Sequence, residues 1–157
     1  MSSRIGPRPA SPDGQAPITL VTAHDAPTPR APYSQAIAAE GLLFVSGQRP
    51  ELPGSAQIPS GIDAQTDQVL RNLAAVLHAG GSGLSRVLKV TAYLADLRLF
   101  DRFNAAYQQH FTAPYPARTT VACRLRGILV EIDAIALGPG VPADPDPEGG
   151  RSDVQPG

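Results

Sequence analysis

Two stretches of the sequence carry side chains whose types and spacing could bind a small acid. Arg118 follows Pro116 and Ala117 at the start of a β-branched run, and Glu131 alternates with apolar residues in the next run. A guanidinium at a strand start can hold a carboxylate by two parallel hydrogen bonds, which a lysine does less well. Glu131 could share a cleft with Arg118. The alternative is a structural ion pair that joins two neighbouring strands.

Other reactive residue types give weaker signals. His24, His78 and His110 have no His or Cys partner at ligand spacing, so we expect core or solvated histidines and no metal site. The glycine-rich run 80–83 ends a predicted helix and lacks a following lysine, which favours a turn over a phosphate loop. Cys123, the single cysteine, lies in a predicted strand, which disfavours a catalytic thiol. No cofactor is predicted.

Composition indicates one folded domain. The chain has 157 residues and is 42% apolar, but residues 1–17 and 138–157 are mostly Pro, Gly, Ser and charged residues. Such segments bury too little surface to offset their ordering entropy, so we expect two disordered tails around a domain at 18–137. The single cysteine and the absence of a long apolar run favour a cytoplasmic protein without a membrane span. The balance of 13 basic and 14 acidic residues disfavours a nucleic-acid partner.

The elements that must position Arg118 and Glu131 follow from hydrophobic periodicity. Apolar spacing predicts a helix from Ile62 to Gly80, capped by Ser60 or Asp63, and a second helix after the N-cap residue Asp96. Alternating patterns predict six strands, with a tight hairpin at Glu40-Gly41 and with Leu88 on the same face as Val90. The predicted strands span 18–22, 34–39, 42–47, 86–95, 118–125 and 129–137.

The order β-β-β-α-β-α-β-β predicts an α+β domain with both helices on one face of a mixed sheet. The other face of the sheet then stays partly apolar. A half-covered sheet in a domain of this size indicates burial against other subunits, so we expect an oligomer.

Seven short motifs, in order along the chain, resemble the RidA (YjgF) family of 2-iminobutanoate/2-iminopropanoate deaminases. Each motif is weak by itself, but together they cover the whole predicted domain. They are 31–36 (APYSQA), 45–48 (VSGQ), Gln65-Thr66 with Asn72-Leu73, 89–96 (KVTAYLAD), 103–107 (FNAAY), 116–119 (PART) and 131–136 (EIDAIA).

The resemblance implies a chorismate-mutase-like fold with a six-stranded sheet, assembled as a homotrimer with clefts between subunits. It implies that Arg118 binds the substrate carboxylate, that Glu131 positions water and that Tyr33 lines the cleft. Asn104, Ser46, Gly47 and Thr120 would contact the substrate. The implied reaction hydrolyses 2-imino acids, derived from enamines, to 2-keto acids and ammonia without a cofactor.

The sequence departs from the family pattern at three places. Ala31 stands where the family usually has Gly, and Thr120 where it often has Cys. The segment from Arg118 to Glu131 is two residues shorter, a change that preserves the face to which a strand side chain points, with Asp133 as the alternative acid. Two other functions remain open on this scaffold: a non-catalytic small-acid binding protein, in which Glu131 is dispensable, and an endoribonuclease, which the neutral charge disfavours.

Overall fold

Six strands form one mixed β-sheet in the computed structural model, which describes residues 17–142. The sheet order is β1-β2-β3-β6-β4-β5, and neighbouring strands are antiparallel except for the parallel pair β4–β5. The elements are β1 (Thr19–Val21), β2 (Ala36–Ala39), β3 (Leu42–Gln48), α1 (Ile62–Ala79), β4 (Val87–Leu94), α2 (Phe100–Tyr107), β5 (Ala117–Ala122) and β6 (Val130–Leu137). The predicted fold class and order of elements are confirmed.

Both helices pack on one face of the sheet and enclose the core. Along α1 the buried residues recur at helical spacing, and along β6 every second residue is buried, so each element turns one apolar side inward. The largest side chains of this core, all almost fully buried, include Leu43, Ile62, Leu70, Leu73, Leu77, Leu94, Phe103 and Ile132.

The opposite face of the sheet, here called the outer face, carries no helix. Phe44 on β3 and Val121 on β5 lie there with 45% and 38% of their surface exposed. Beside them are polar contacts, such as the Tyr93 hydroxyl that donates to Asp133 at 2.9 Å. The expected partly apolar outer face is therefore present.

The β2–β3 hairpin turns at Glu40 and Gly41, as predicted. Both residues have positive φ values, 51° and 74°. A two-residue turn with two left-handed residues matches the twist of the flanking strands, and glycine adopts this conformation without steric cost.

Two sequence predictions about local geometry are wrong. Leu88 is 45% exposed and does not share the buried face of Val90, because the β4–β6 register shifts between Val87 and Lys89. Because of the extra residue in this bulge, the side chains at the start of β4 point to the opposite faces from those expected. Val87 is therefore buried in place of Leu88. Helix α1 begins after Gly61, with no side-chain cap from Ser60 or Asp63.

The region around α2 also differs from expectation. Asp96 does accept a hydrogen bond from the Arg98 backbone N–H, but it caps a short 3₁₀ helix, Leu97–Leu99, that precedes α2. Strand β5 ends at Ala122, three residues earlier than predicted, so Cys123 follows the strand and is exposed.

The predicted tails lie largely outside the described residues. Of the C-terminal one, residues 138–142 are described, and they remain bonded to the domain. The Gly138 N–H donates to the Gly41 carbonyl at 2.7 Å, and Arg86 donates to the carbonyls of Gly138 and Val141. No helix among residues 17–142 is long and apolar enough to cross a membrane.

Candidate functional site

Arg118 lies at the start of the edge strand β5, on the face of the sheet that the helices cover. It pairs in register with Val90, a fully buried residue of β4. Its Nη2 donates to Oδ1 of Asn104, on α2, at 2.7 Å. The predicted rigid guanidinium at the sheet edge is thus present, with an amide from the neighbouring helix to orient it.

Three aromatic rings of the α2 region surround the Arg118 guanidinium. Its Cζ lies 4.6 Å from the ring centroid of Tyr107, 5.3 Å from that of Phe103 and 5.8 Å from that of Phe100. Burial raises the pKa of Tyr107 to about 12, partly countered by the Arg118 charge, so the phenol stays neutral at physiological pH. Ring faces attract the cation without neutralising it.

The Arg118 side chain faces a cavity of about 430 Å³, which we call the arginine cavity; it is lined also by Asn104, Tyr107, Gln108, Tyr115 and Pro116. Within residues 17–142, no carboxylate forms a salt bridge with Arg118. One of five guanidinium N–H donors is used by Asn104, which leaves donors for a ligand. The arrangement can hold a carboxylate.

Glu131 lies on the outer face of the sheet, in β6, where its carboxylate covers Gly47. A Cβ at residue 47 would collide with that carboxylate, so glycine is required for this close approach. Burial raises the pKa of Glu131, an effect that the Arg49 charge opposes and the charges of Glu51 and Asp133 reinforce. A carboxylate with a raised pKa is a stronger base toward water than an ordinary surface glutamate.

A second cavity, of about 660 Å³, adjoins Gly47 and is lined by Tyr33, Gln35, Arg49, Glu51 and Arg126 among others; we call it the loop cavity. Two buried or half-buried side chains fix its walls. Gln35 bonds the backbone of Ala23 and Pro27, and the Ser46 hydroxyl donates to the Ser34 carbonyl at 2.7 Å. Ser46 therefore holds the loop that carries Tyr33, and its own hydroxyl is already engaged.

Within one chain, Arg118 and Glu131 do not share a cleft. Arg118 pairs with Val90 and Glu131 pairs with Tyr93, on the same intervening strand β4. Residues an odd number apart on a strand point to opposite faces, so the two side chains lie on opposite sides of the sheet. The shared cleft is therefore wrong for a single chain, and so is the alternative of an ion pair between neighbouring strands, because β4 separates β5 from β6.

The predicted site residues fall into two groups. Arg118 and Asn104 meet at the arginine cavity, and half-buried Thr120 lies two residues along β5 on the same face. Tyr33 and Gly47 line the loop cavity, with Glu131 and Ser46 beside them. Asp133, the alternative acid, accepts from the Tyr93 hydroxyl, so its carboxylate is less available than that of Glu131.

Sequence reasoning missed two residues that line the loop cavity, Arg49 and Glu51, and a third, Asn72, that fixes their backbone. Arg49 and Glu51 lie in a Pro-rich loop with no regular pattern, and Asn72 reads as one polar residue on a helix. In the structure the Asn72 amide donates to the backbone carbonyls of both Arg49 and Glu51. The one signal in the sequence that points to Asn72 is its place in the Asn72-Leu73 motif.

No group of three or more His, Cys, Asp or Glu side chains among residues 17–142 is arranged to hold a metal ion. The two carboxylates nearest Glu131 are engaged elsewhere: Glu51 bonds Arg49, and Asp133 bonds Tyr93.

Comparison with known proteins agrees with this architecture. The family profile described as Endoribonuclease L-PSP matches residues 23–138. A RutC family protein of Pyrococcus horikoshii is 44% identical over 120 residues, which cover 74% of this chain and 95% of the relative. The 2-iminobutanoate/2-iminopropanoate deaminase of Bos taurus is 37% identical over 121 residues, covering 75% and 88% of the two chains.

Among solved structures, the crystal structure of E. coli TdcF with bound serine superposes with a TM-score of 0.72 at 31% identity, covering 76% of this chain and 98% of that one. The chain belongs to the RidA (YjgF) family, whose profile bears the description Endoribonuclease L-PSP.

Proposed function

We propose that this protein hydrolyses 2-imino acids, such as 2-iminopropanoate and 2-iminobutanoate, to 2-keto acids and ammonia. The observation that carries the proposal is the Arg118 guanidinium, oriented by Asn104 over the Tyr107 ring and without a carboxylate partner among residues 17–142. An unneutralised, preoriented guanidinium beside a cavity fits a small carboxylate ligand by two parallel hydrogen bonds.

In the proposed mechanism, Arg118 holds the substrate carboxylate and backbone groups near Gly47 or on β5 hold the imine. Glu131 accepts a proton from water as the water oxygen bonds to C2 and the C=N π electrons move to nitrogen. Returning that proton to nitrogen gives a carbinolamine. Its hydroxyl proton then passes to the amino nitrogen, the C–N bond breaks with its electron pair leaving on ammonia, and the C=O bond forms. Orientation and general-base assistance supply the acceleration, without a covalent intermediate.

The opposite-face placement requires two chains for one such site. One chain would contribute Arg118, Asn104 and Thr120, and a second chain would contribute Tyr33, Gly47 and Glu131. Exposed Phe44 and Val121 on the outer face, and the position of β5 at the sheet edge, support packing between subunits. We propose the homotrimer implied by the family, with one such cleft per interface.

Two relatives support the substrate class. The bovine relative is named a 2-iminobutanoate/2-iminopropanoate deaminase, and E. coli TdcF has been crystallised with serine, itself a small amino acid. Serine and the imino acids in the name of the bovine relative each carry a carboxylate next to a carbon–nitrogen bond. Arg118 would hold that carboxylate. The TdcF complex also favours the second candidate function, small-acid binding without catalysis.

The test measures ammonia and keto-acid release from 2-iminopropanoate generated in situ. We expect wild-type protein to accelerate hydrolysis and Arg118→Ala to lower kcat/KM by about 100-fold or more, since charge-assisted hydrogen bonds are lost. Arg98→Ala, at a side chain that is 90% exposed, is the matched control and should retain full activity. Absence of acceleration with preserved binding of small acids would instead establish the binding function.

A further inference from the structure

Arg49 lies between two carboxylates beside Gly47. Its Nε donates to Oε1 of Glu51 at 2.9 Å, and its Nη1 lies 4.0 Å from Oε2 of Glu131. Its Nη2 donates to the Arg126 carbonyl at 3.2 Å. Three separate nitrogens of one guanidinium are therefore directed at three different oxygens.

The backbone that carries Arg49 and Glu51 is fixed by helix α1. The Asn72 amide, only 1% exposed, donates to the Arg49 carbonyl at 2.8 Å and to the Glu51 carbonyl at 2.9 Å. Gln68, one turn earlier on α1, donates to the Asn72 side-chain oxygen. A buried, fully used amide of this kind holds a loop in one conformation, so the position of Arg49 is built into the fold.

Arg49 also supplies the positive charge that Glu131 meets. The charged and titratable groups facing Glu131 are Arg49 and Glu51 from the segment after β3, Tyr93 from β4, and Asp133 from β6. Three of these four are acids. Among residues 17–142, Arg49 is the one cation within salt-bridge distance of Glu131.

We propose that Arg49 is a positioning residue that keeps the Glu131 carboxylate ionised and available to water. The effect of Arg49 on catalysis rests on the proposed function, whereas its effect on the charge of Glu131 does not. Glu51 and the Arg126 carbonyl hold the guanidinium back from Glu131. The separation of 4.0 Å leaves the carboxylate lone pairs free for water, which a close bidentate ion pair would occupy.

The electrostatic balance gives the expected direction. Burial raises the pKa of Glu131, and Glu51 and Asp133 add to that effect, while Arg49 opposes it. Removal of the Arg49 charge therefore raises this pKa further and protonates a larger fraction of Glu131 at a given pH. A charge at about 4 Å changes a pKa by roughly half a unit or more even when the pair is well solvated.

The primary test titrates the glutamate side chains by ¹³C NMR in the full-length protein. The sequence contains only four glutamates, at 40, 51, 131 and 148, so selective labelling resolves them, and Glu131→Gln identifies one resonance by its loss. We expect Arg49→Gln to raise the Glu131 pKa by about half a unit or more. Arg49→Lys, which retains the charge, should restore most of the wild-type value.

The matched control is Arg71→Gln, which removes an arginine that is paired with Asp67 on the exposed surface of α1. It should leave the Glu131 titration unchanged. An unchanged or lowered Glu131 pKa in Arg49→Gln overturns the inference. If Arg49→Gln unfolds, the Arg49→Lys titration decides: a Glu131 pKa raised by about half a unit or more although the charge is retained overturns the inference.

The second measurement is the pH dependence of kcat/KM for 2-iminopropanoate. The acid limb should move to higher pH in Arg49→Gln by the same amount as the NMR pKa. A lower kcat/KM with an unmoved limb indicates a structural effect of Arg49 and contradicts the inference. A wild-type protein without hydrolytic activity refutes the proposed function, and the NMR titration then still decides the role of Arg49.

Discussion

The two cavities of this domain differ in how they hold charge. At the arginine cavity a single cation, Arg118, lies among aromatic rings on a helix and at the start of an edge strand. At the loop cavity three arginines (Arg30, Arg49 and Arg126) and Glu51 lie on irregular loops, with Glu131 beside them. The buried Asn72 amide fixes part of these loops to α1. The arginine cavity, one half of the proposed site, can bind an anion. The loop cavity, the other half, can hold a carboxylate base whose pKa the neighbouring charges adjust.

This difference indicates why the two halves lie on opposite faces of the sheet. A guanidinium next to a carboxylate in the same chain would form an ion pair, as Arg49 does with Glu51, and would offer little to a ligand. With β4 between them, Arg118 keeps free donors and Glu131 keeps free lone pairs. In the proposed assembly, two chains would bring the complementary groups together only in the cleft between them.

The largest expected effect that distinguishes the two halves of the proposed site is a loss of catalysis without a loss of binding. Glu131→Gln should lower kcat for 2-iminopropanoate by about 100-fold or more, because general-base assistance is lost, while the affinity for small carboxylates is retained. In wild type, kcat/KM should fall as the pH drops through the raised pKa of Glu131, because the carboxylate must be ionised to accept a proton. Steady-state kinetics and pyruvate binding measure the two properties separately.

The same variant provides the contrast with Arg118→Ala, which should lose binding and catalysis together. If Glu131→Gln retained full kcat, Glu131 would not be the general base of the reaction.

The next effect tests whether the two halves come from different chains. Arg118→Ala and Glu131→Gln subunits, each inactive alone, should regain activity when they are refolded together. In a randomly mixed trimer about a quarter of the interfaces would combine an intact Arg118 with an intact Glu131. Ammonia release from the mixture, compared with each variant refolded alone, measures the recovery; no recovery would mean that one chain forms the whole site.

A smaller effect is expected at the aromatic rings below Arg118. Tyr107→Leu removes the nearest ring face and should raise KM for 2-iminopropanoate by about fivefold or more, since a cation–π contact contributes about 1 kcal/mol. Tyr107→Phe keeps the ring and should retain most of the affinity. Thermal unfolding of both variants checks that a change in KM does not reflect loss of the folded state, since Tyr107 is 5% exposed.

The sequence predicts local features of this protein well because they depend on short-range physics. The β2–β3 turn at Glu40-Gly41 follows from the need for positive φ, and the α1 face follows from helical periodicity. The start of β5 beside Pro116 also follows, since proline limits the preceding structure. The sequence predicts the wrong face for Leu88, because a bulge arises from pairing with another strand and alternation along one strand does not reveal it.

The candidate site shows the same division. Residue types in the sequence single out Arg118 and Glu131, motif order indicates the RidA family, and Tyr33 and Asn104 enter only through that resemblance. Only the tertiary structure decided that Arg118 and Glu131 lie on opposite faces, because the face of each depends on its register with β4, the strand inserted between them. It also decided that Arg49 meets Glu131, since that contact joins a loop to a strand more than eighty residues later, through packing that no local pattern encodes.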